Sequence, residues 1–316
     1  MLRPSIDLLL PDGLGLDFPD THVLESFLEQ DKEGGGSAAA MWPDLLTNAF
    51  PVLSGCSLVQ MLALLLAAAR QNRSKPAAVL RHCIEYFAGA AELSRAHIEV
   101  DVGCVSRWDK DYGDHHDCLT HIGLAHWLSD LLLAAPGALI WLGTQCSSFV
   151  LMCKAIAKRE EANHWMGDTN RQFVRDGNVQ MQITSLIYLM ASCLGCCPVI
   201  EQPISSVLAK LRPLATVLSF TKSVRTVTYM GAFNGNSPKP LQLLHTAIEY
   251  KALARKSPAA HFPKGVLVDD LGQDQQGRRK FRGGEALKPS QAYTPEFGRC
   301  VAVITKNRLT PRPART

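Results

Sequence analysis

The stretch Arg81 to Ser94, RHCIEYFAGAAELS, decides how this chain is read. A short apolar run, Cys83-Ile84-Glu85-Tyr86-Phe87, gives way to the small residues Ala88-Gly89-Ala90-Ala91, and Glu92 then opens a helix. Small residues after a strand let the backbone turn tightly and approach a ligand closely. The free N–H groups of the following helix face the same place. Many α/β turns share this pattern and hold no ligand, so its weight depends on what surrounds it.

Outward from this stretch, strand-like and helix-like segments alternate. The pattern predicts strands near 82–87, 97–102, 138–143, 197–201, 224–230 and 240–245, and helices over 116–134, 147–160, 178–194 and 203–211. Such alternation argues for an α/β, Rossmann-like domain: a mostly parallel sheet with helices on both faces. Pro136-Gly137 should close the first of these helices and Gly195 the third. Residues 161–177, EANHWMGDTNRQFVRDG, read as a long polar loop with aromatic residues, a type that is commonly functional or mobile.

The chain divides into an N-terminal extension (1–75), the alternating domain (76–256) and a basic C-terminal segment (257–316). With 316 residues, 47% hydrophobic and 20% charged, it can bury a full core. A net charge of +4 does not by itself demand a nucleic-acid partner. The ten cysteines are scattered through apolar segments, which reads as free thiols in an intracellular setting, nuclear or cytoplasmic. Leu8-Leu9-Leu10 is too short for a secretory signal. The window 52–69, VLSGCSLVQMLALLLAAA, approaches membrane-spanning length, but Ser54, Gly55, Ser57 and Gln60 dilute it. A helix docked on the domain is preferred, without stable membrane insertion; a membrane-associated helix is the alternative. Ser290 to Ile304 should form a helix starting near Pro295 that docks Phe297, Val301 and Ile304. Arg278, Arg279, Lys280, Arg282, Arg299, Lys306, Arg308, Arg312 and Arg315 form a basic tail, readable as a phosphate-attracting surface or as solvated charge.

Candidate chemistry gathers where the predicted strands end, the edge at which such sheets bind ligands. Asp101 closes the second predicted strand twelve residues after Gly89, and a carboxylate there can hold a ribose diol. The 138–143 strand runs into Gly143-Thr144-Gln145-Cys146, and the next into Glu201-Gln202-Pro203. A thiolate and a carboxylic acid on adjacent strand ends suit one reaction well. The sulfur adds to C6 of a pyrimidine, the acid neutralises N3, and C5 becomes nucleophilic enough to take a methyl group. Taken singly, a cysteine opening a helix is often inert, though the helix N-terminus would lower its pKa. A strand-end glutamate is often a structural hydrogen-bond partner. His115, His116, Asp117, Cys118, His121 and His126 carry ligand-type side chains, yet a polar helix face and a thiol-rich core are preferred to a zinc site there.

Taken together, Phe87-Ala88-Gly89, Gln145-Cys146-Ser147, Glu201-Gln202-Pro203 and Met230-Gly231-Ala232-Phe233…Pro238-Lys239-Pro240 resemble the DNA (cytosine-5)-methyltransferase family, in particular its short, divergent members. The resemblance spans roughly residues 81–245, and SQAYTPEFGRCVA is similar to the closing helix of such members. It implies a class I methyltransferase fold with a seven-stranded sheet, S-adenosyl-L-methionine as cofactor, and nucleic acid, DNA in preference to RNA, as partner. Phe87, Ala88, Gly89, Ala91 and Gly143 would line the cofactor, Asp101 would take its ribose and Asp117 would face its adenine end. Cys146 would be the nucleophile and Glu201 the N3 partner. The 161–177 loop would close over an extruded base, with Arg171, Arg175 and Lys239 meeting the substrate. Departures from the family pattern are Ala91 for the second glycine, Gln145 for the proline before the nucleophile, and little room for a target-recognition domain. They keep two alternatives open: a catalytically degenerate scaffold that binds nucleic acid or a protein partner, and a methyltransferase with another small or protein substrate.

Overall fold

The computed structural model describes residues 58–74, 79–150, 153–256, 268–273, 279–283 and 292–310. The first described element is helix α1 (Leu58–Arg73), followed by β1 (Arg81–Tyr86), α2 (Glu92–Glu99), β2 (Val105–Trp108), α3 (His121–Leu131) and β3 (Ala134–Leu142). A single helical turn α4 (Lys154–Ala157) precedes the long α5 (Gln172–Cys193), then β4 (Cys197–Pro203), α6 (Arg212–Phe220), β5 (Val224–Tyr229) and β6 (Pro240–His245). A hairpin of β7 (Val268–Gln273) and β8 (Arg279–Gly283) and the closing helix α7 (Pro295–Leu309) complete the order.

The main sheet has six strands in the order β2-β1-β3-β4-β6-β5. Pairs β1–β2, β1–β3 and β3–β4 are parallel, whereas β6 runs antiparallel to both β4 and β5. The expected seven-stranded, mostly parallel sheet is therefore corrected to a six-stranded mixed one. The reversal follows from the connection between β5 and β6. Only Met230–Lys239 separates them, a length suited to a hairpin turn and too short for a parallel crossover.

Alternation along the strands loads both faces of the sheet. Ile84, Tyr86, Ile140, Leu142 and Ile200 point into a core shared with α1, α3, α5 and α6. Cys83, Leu139, Trp141, Val199 and Leu243 point into a second core closed by Phe297 and Val301 of α7. Leu62, Leu65, Leu66 and Ala69 of α1 are buried in the first core. Each fully buried leucine is worth about 1.5–3 kcal/mol relative to exposure, so the apolar window around 52–69 is docked where it is described. Among the described residues no helix is long and apolar enough to cross a membrane. Helix α7 docks as its periodicity requires, with Phe297 and Val301 buried and Thr294 capping its first turn by accepting the Phe297 N–H.

Four expectations differ, the first being the helix over 203–211: the chain there holds the end of β4, a turn and a single 3-10 turn at Leu208–Lys210, and α6 begins only at Arg212. Residues 97–102 are not a strand: they fall on the end of α2 and the turn after it. A helix opened at Glu92 and ended by residue 97 would advance only about 7 Å at ~1.5 Å per residue, too little to return along a strand. His97 instead turns inward, bonded to the Leu93 carbonyl and to Thr305 of α7. Residues 147–160 hold a turn and the short α4 in place of one helix. Pro136-Gly137 lies inside β3, at the register irregularity opposite Arg81–Cys83, rather than at a helix end. Gly195, at φ +69°, does close α5. Residues 1–57, Arg278, Arg312 and Arg315 lie outside the described residues.

Candidate active site at the carboxyl edge of the sheet

The register lines up the carboxyl ends of four strands. Tyr86 pairs with Trp108 on one side and with Leu142 on the other, and Leu142 pairs with Ile200. The next residue of each strand or loop, namely Phe87, Asp109, Gly143 and Glu201, therefore stands in one row. From β1 the chain first moves out to β2 and then crosses to β3 on the other side, so the β1–β3 boundary is the switch point at which open α/β sheets bind ligands.

On the β1 half, the loop is shaped by its own backbone. Phe87, Gly89 and Ala91 adopt left-handed conformations at φ 57°, 51° and 56°. The Gly89 N–H donates to Asp109 Oδ2 (2.8 Å), and the Tyr112 hydroxyl donates to the Gly89 carbonyl (2.7 Å). A Cβ built on Gly89 meets nothing within 4 Å, so space is open beside it. Phe87 packs edge-on against Trp127, whose indole N–H donates to the His116 carbonyl. Below the loop, Glu85 is fully buried and accepts the N–H and hydroxyl of Ser94 at Oε2 (2.8 and 2.6 Å), capping α2 from the strand. Burial pushes its carboxyl up to about 7 against those hydrogen bonds, and Oε1 finds no partner among the described residues.

Asp101 does not join this row. With 97–102 helical, it sits exposed at φ 54° in the turn after α2, at the opposite edge of the sheet. The carboxylate at the end of the second strand is Asp109, 20 residues past Gly89. Its signal was the short run Val105-Ser106-Arg107-Trp108 directly before it, with a β-branched residue at one end and an aromatic one at the other. Asp117 is half-buried beyond the aromatic group of Trp108, Tyr112 and His116, accepting the Leu119 N–H at Oδ1.

On the β3–β4 half, side chains from distant segments converge. Cys146 and Glu201 are near enough for the glutamate charge to raise the thiol, and Lys239, from just before β6, lowers both. Burial is the largest cause in each case: it lifts Cys146 to about 11 and raises Glu201. No helix begins at Cys146, so the expected depression by a helix N-terminus is corrected to a rise. Glu201 Oε2 accepts the hydroxyl of Tyr293 (2.8 Å), which itself accepts the Trp141 indole N–H (3.1 Å). Tyr293 lies over Gly143, where a Cβ would stand 3.2 Å from its hydroxyl and 3.3 Å from the Phe87 carbonyl. Gly143 thus packs against its own chain. The turn before Cys146 has no proline, but Gln202 supplies rigidity in its place. Its amide donates to the Thr144 carbonyl (2.5 Å) and its oxygen accepts from Ser206 (2.8 Å).

The segment after Cys146 folds around Arg159. Its guanidinium donates to the carbonyls of Ser148 (2.8 Å) and Trp165 (2.7 Å) and to Asn178 Oδ1 (2.8 Å). Helix α5 starts at Gln172, so the expected 161–177 loop ends earlier. Arg171 and Arg175 are exposed there, bonded locally to Asp168 and to the Thr169 carbonyl. Of the basic tail, Arg299 pairs with Glu296 and Glu99, Arg308 with Glu249, and Lys306 donates to the Val100 carbonyl.

Among the described residues, no three His, Cys, Asp or Glu side chains are arranged to hold a metal ion. For a nucleoside cofactor, the open space at Gly89, the Asp109 carboxylate at the β2 end and the unpartnered Glu85 oxygen fit the β1 half. Compared with models of known families, with curated proteins and with solved structures, the chain matches none.

Proposed function

We propose that this edge is the active site of an S-adenosyl-L-methionine-dependent methyltransferase acting on C5 of cytosine in nucleic acid, with DNA favoured over RNA by the family resemblance. What carries the reading is the convergence of Cys146, Glu201 and Lys239, drawn from three separate strand ends, beside the row that begins at Phe87. Phe87, Ala88, Gly89 and Asp109 would hold the cofactor, with Asp117 toward its nucleoside end. When bound, the cofactor supplies an electrophilic methyl group.

The chain's own residues then divide the work. Burial raises the Glu201 carboxyl above its ordinary value, against Lys239 and the Tyr293 hydrogen bond, and so favours the protonated form that can protonate N3. Protonated Glu201 also stops opposing ionisation of the neighbouring thiol, and Lys239 favours the thiolate. Cys146 Sγ bonds to C6 while N3 takes the Glu201 proton, leaving C5 nucleophilic. After C5 has been methylated, loss of the C5 proton to solvent and return of the N3 proton to the Glu201 carboxylate expel the sulfur as thiolate. Tyr293, donating to Oε2, orients the acid and leaves Oε1 for the base.

One observation favours a second reading. Tyr293 covers Gly143 and engages Glu201, as a filled cleft in a non-catalytic scaffold would. Calorimetry with S-adenosylhomocysteine separates the two: binding by the wild-type chain supports the enzyme, and binding seen only in Tyr293→Ala supports the scaffold. Incubation with methyl-labelled cofactor and cytosine-containing DNA or RNA tests the chemistry. Label should enter the nucleic acid with the wild type and fall to background with Cys146→Ala; transfer that survives the substitution removes Cys146 from the mechanism.

A further inference from the structure

Beside the nucleophile's loop lies a cavity of about 150 Å³ lined by Ser148, Phe149, Lys154, Arg159, Trp165 and Lys210. Its back wall is cationic in an unusual way. Arg159 is 2% exposed, and every hydrogen bond it makes goes to a neutral acceptor: the Ser148, Trp165, Met166 and Val174 carbonyls, the Ser148 hydroxyl and Asn178 Oδ1. Among the described residues no carboxylate lies within ion-pair distance of it. Burial lowers its pKa only to about 10, so the guanidinium stays charged at neutral pH, with the Phe149 ring 4.2 Å away as its one other charge-stabilising contact. Screening by solvent is weak at such a site, so its field reaches into the cavity.

The mouth adds to this charge. Lys154 and Lys210 are exposed, and neither pairs with a carboxylate among the described residues. The Lys210 ammonium sits 4.4 Å from the Trp165 ring, which holds it at the rim. Ser148 Oγ already accepts from Arg159, so its own proton is free to be donated. Three cations, one hydroxyl donor and no acid form a seat for a tetrahedral oxyanion. The cavity falls below the ~300–1,000 Å³ typical of drug-sized ligands, so it suits a phosphoryl group and not a whole nucleotide. Its floor belongs to the nucleophile's own turn, since the Phe149 N–H donates to the Cys146 carbonyl (2.9 Å).

We infer that this cavity seats a backbone phosphate of the nucleic acid whose base is presented to Cys146, with Lys154, Lys210 and Ser148 as its contacts and Arg159 as the buried charge behind them. The inference rests on the proposed substrate class, and it differs from the expected contacts, Arg171 and Arg175, which lie on the far end of the same segment.

Fluorescence anisotropy with a short cytosine-containing single strand, read against salt, tests it without requiring turnover. The expected result is at least ten-fold weaker binding by Lys154→Ala/Lys210→Ala, with the slope of log K against log salt shallower by about 0.7 for one lost phosphate contact. Equal affinity and slope in the wild type and the double-lysine variant would overturn the assignment. Calorimetry with inorganic phosphate separates the sources. Phosphate binding that depends on both lysines, in a chain that binds no oligonucleotide, overturns the nucleic-acid assignment in favour of a free-phosphate site. Failure of the methyl-transfer assay with this binding result intact would instead strike only the proposed chemistry.

Discussion

The two halves of the sheet's carboxyl edge are held in shape by different means. After β1 the chain shapes itself locally: three left-handed residues within Phe87–Ala91, tied by Asp109 and Tyr112 from the next loop. After β3 and β4 the shape is imposed from afar. Gln202 clamps Thr144 across 58 residues and Tyr293 reaches Glu201 across 92, while Arg159, although its partners are near in sequence, is a single buried donor on which carbonyls from both sides of its segment depend. A locally shaped loop tolerates the loss of any one tie. A loop shaped from outside fails when its clamp is removed, because buried acceptors are then left without donors.

The sharpest way to break this contrast is at Arg159. Arg159→Met should destabilise the domain by about 4 kcal/mol or more, since the carbonyls and hydroxyl it serves would lose their donor in a buried setting. Asp109→Ala on the other half should cost only about 1 kcal/mol. Urea unfolding of both variants checks the pair, and similar losses would mean that the halves do not differ. Next in size is Gln202→Leu, expected to cost about 2 kcal/mol through the stranded Thr144 carbonyl and Ser206 hydroxyl.

A subtler comparison lies in the thiol. With Cys146 held at about 11, its alkylation by iodoacetamide should accelerate up to that pH. Because Glu201 raises the thiol and Lys239 lowers it, Glu201→Gln should shift the profile to lower pH and speed alkylation at pH 8. Lys239→Met should shift it higher and slow the reaction. Profiles that ignore both substitutions would separate Cys146 from the other two groups. Smallest of all, Ala91→Gly should stabilise the β1 loop by roughly 0.5–1 kcal/mol. It relieves a left-handed alanine worth about 1–2 kcal/mol of strain, less the extra freedom it gives the unfolded chain.

The same contrast explains what the sequence made legible. The β1 turn announces itself because its small residues and the following helix are contiguous, while β4 and β6 follow from short apolar runs, β5 from its β-branched residues and α7 from its helical periodicity. Asp109 was missed because His97-Ile98-Glu99-Val100 alternates like a strand, although α2 needs those residues to return along β1. The antiparallel β6 was not read because strand direction depends on the length of the connection before it. The Gln202, Tyr293 and Arg159 clamps left no local trace: each joins a polar residue to a carbonyl or carboxylate that only the folded sheet brings near. Cys146 and Glu201 could be placed at strand ends, but both pKa values rise through burial, with Lys239 working against the rise, and spacing reveals neither effect.

The account turns on whether Cys146 adds to a cytosine ring. Mass spectrometry of the chain incubated with S-adenosyl-L-methionine and an oligonucleotide bearing 5-fluorocytosine tests this directly, because a fluorine at C5 leaves no proton to lose and so traps the sulfur on C6. The account predicts a covalent adduct on the peptide that contains Cys146, dependent on the cofactor and absent in Glu201→Gln. An oligonucleotide that binds, with the cofactor bound beside it, and still leaves Cys146 unmodified would contradict it.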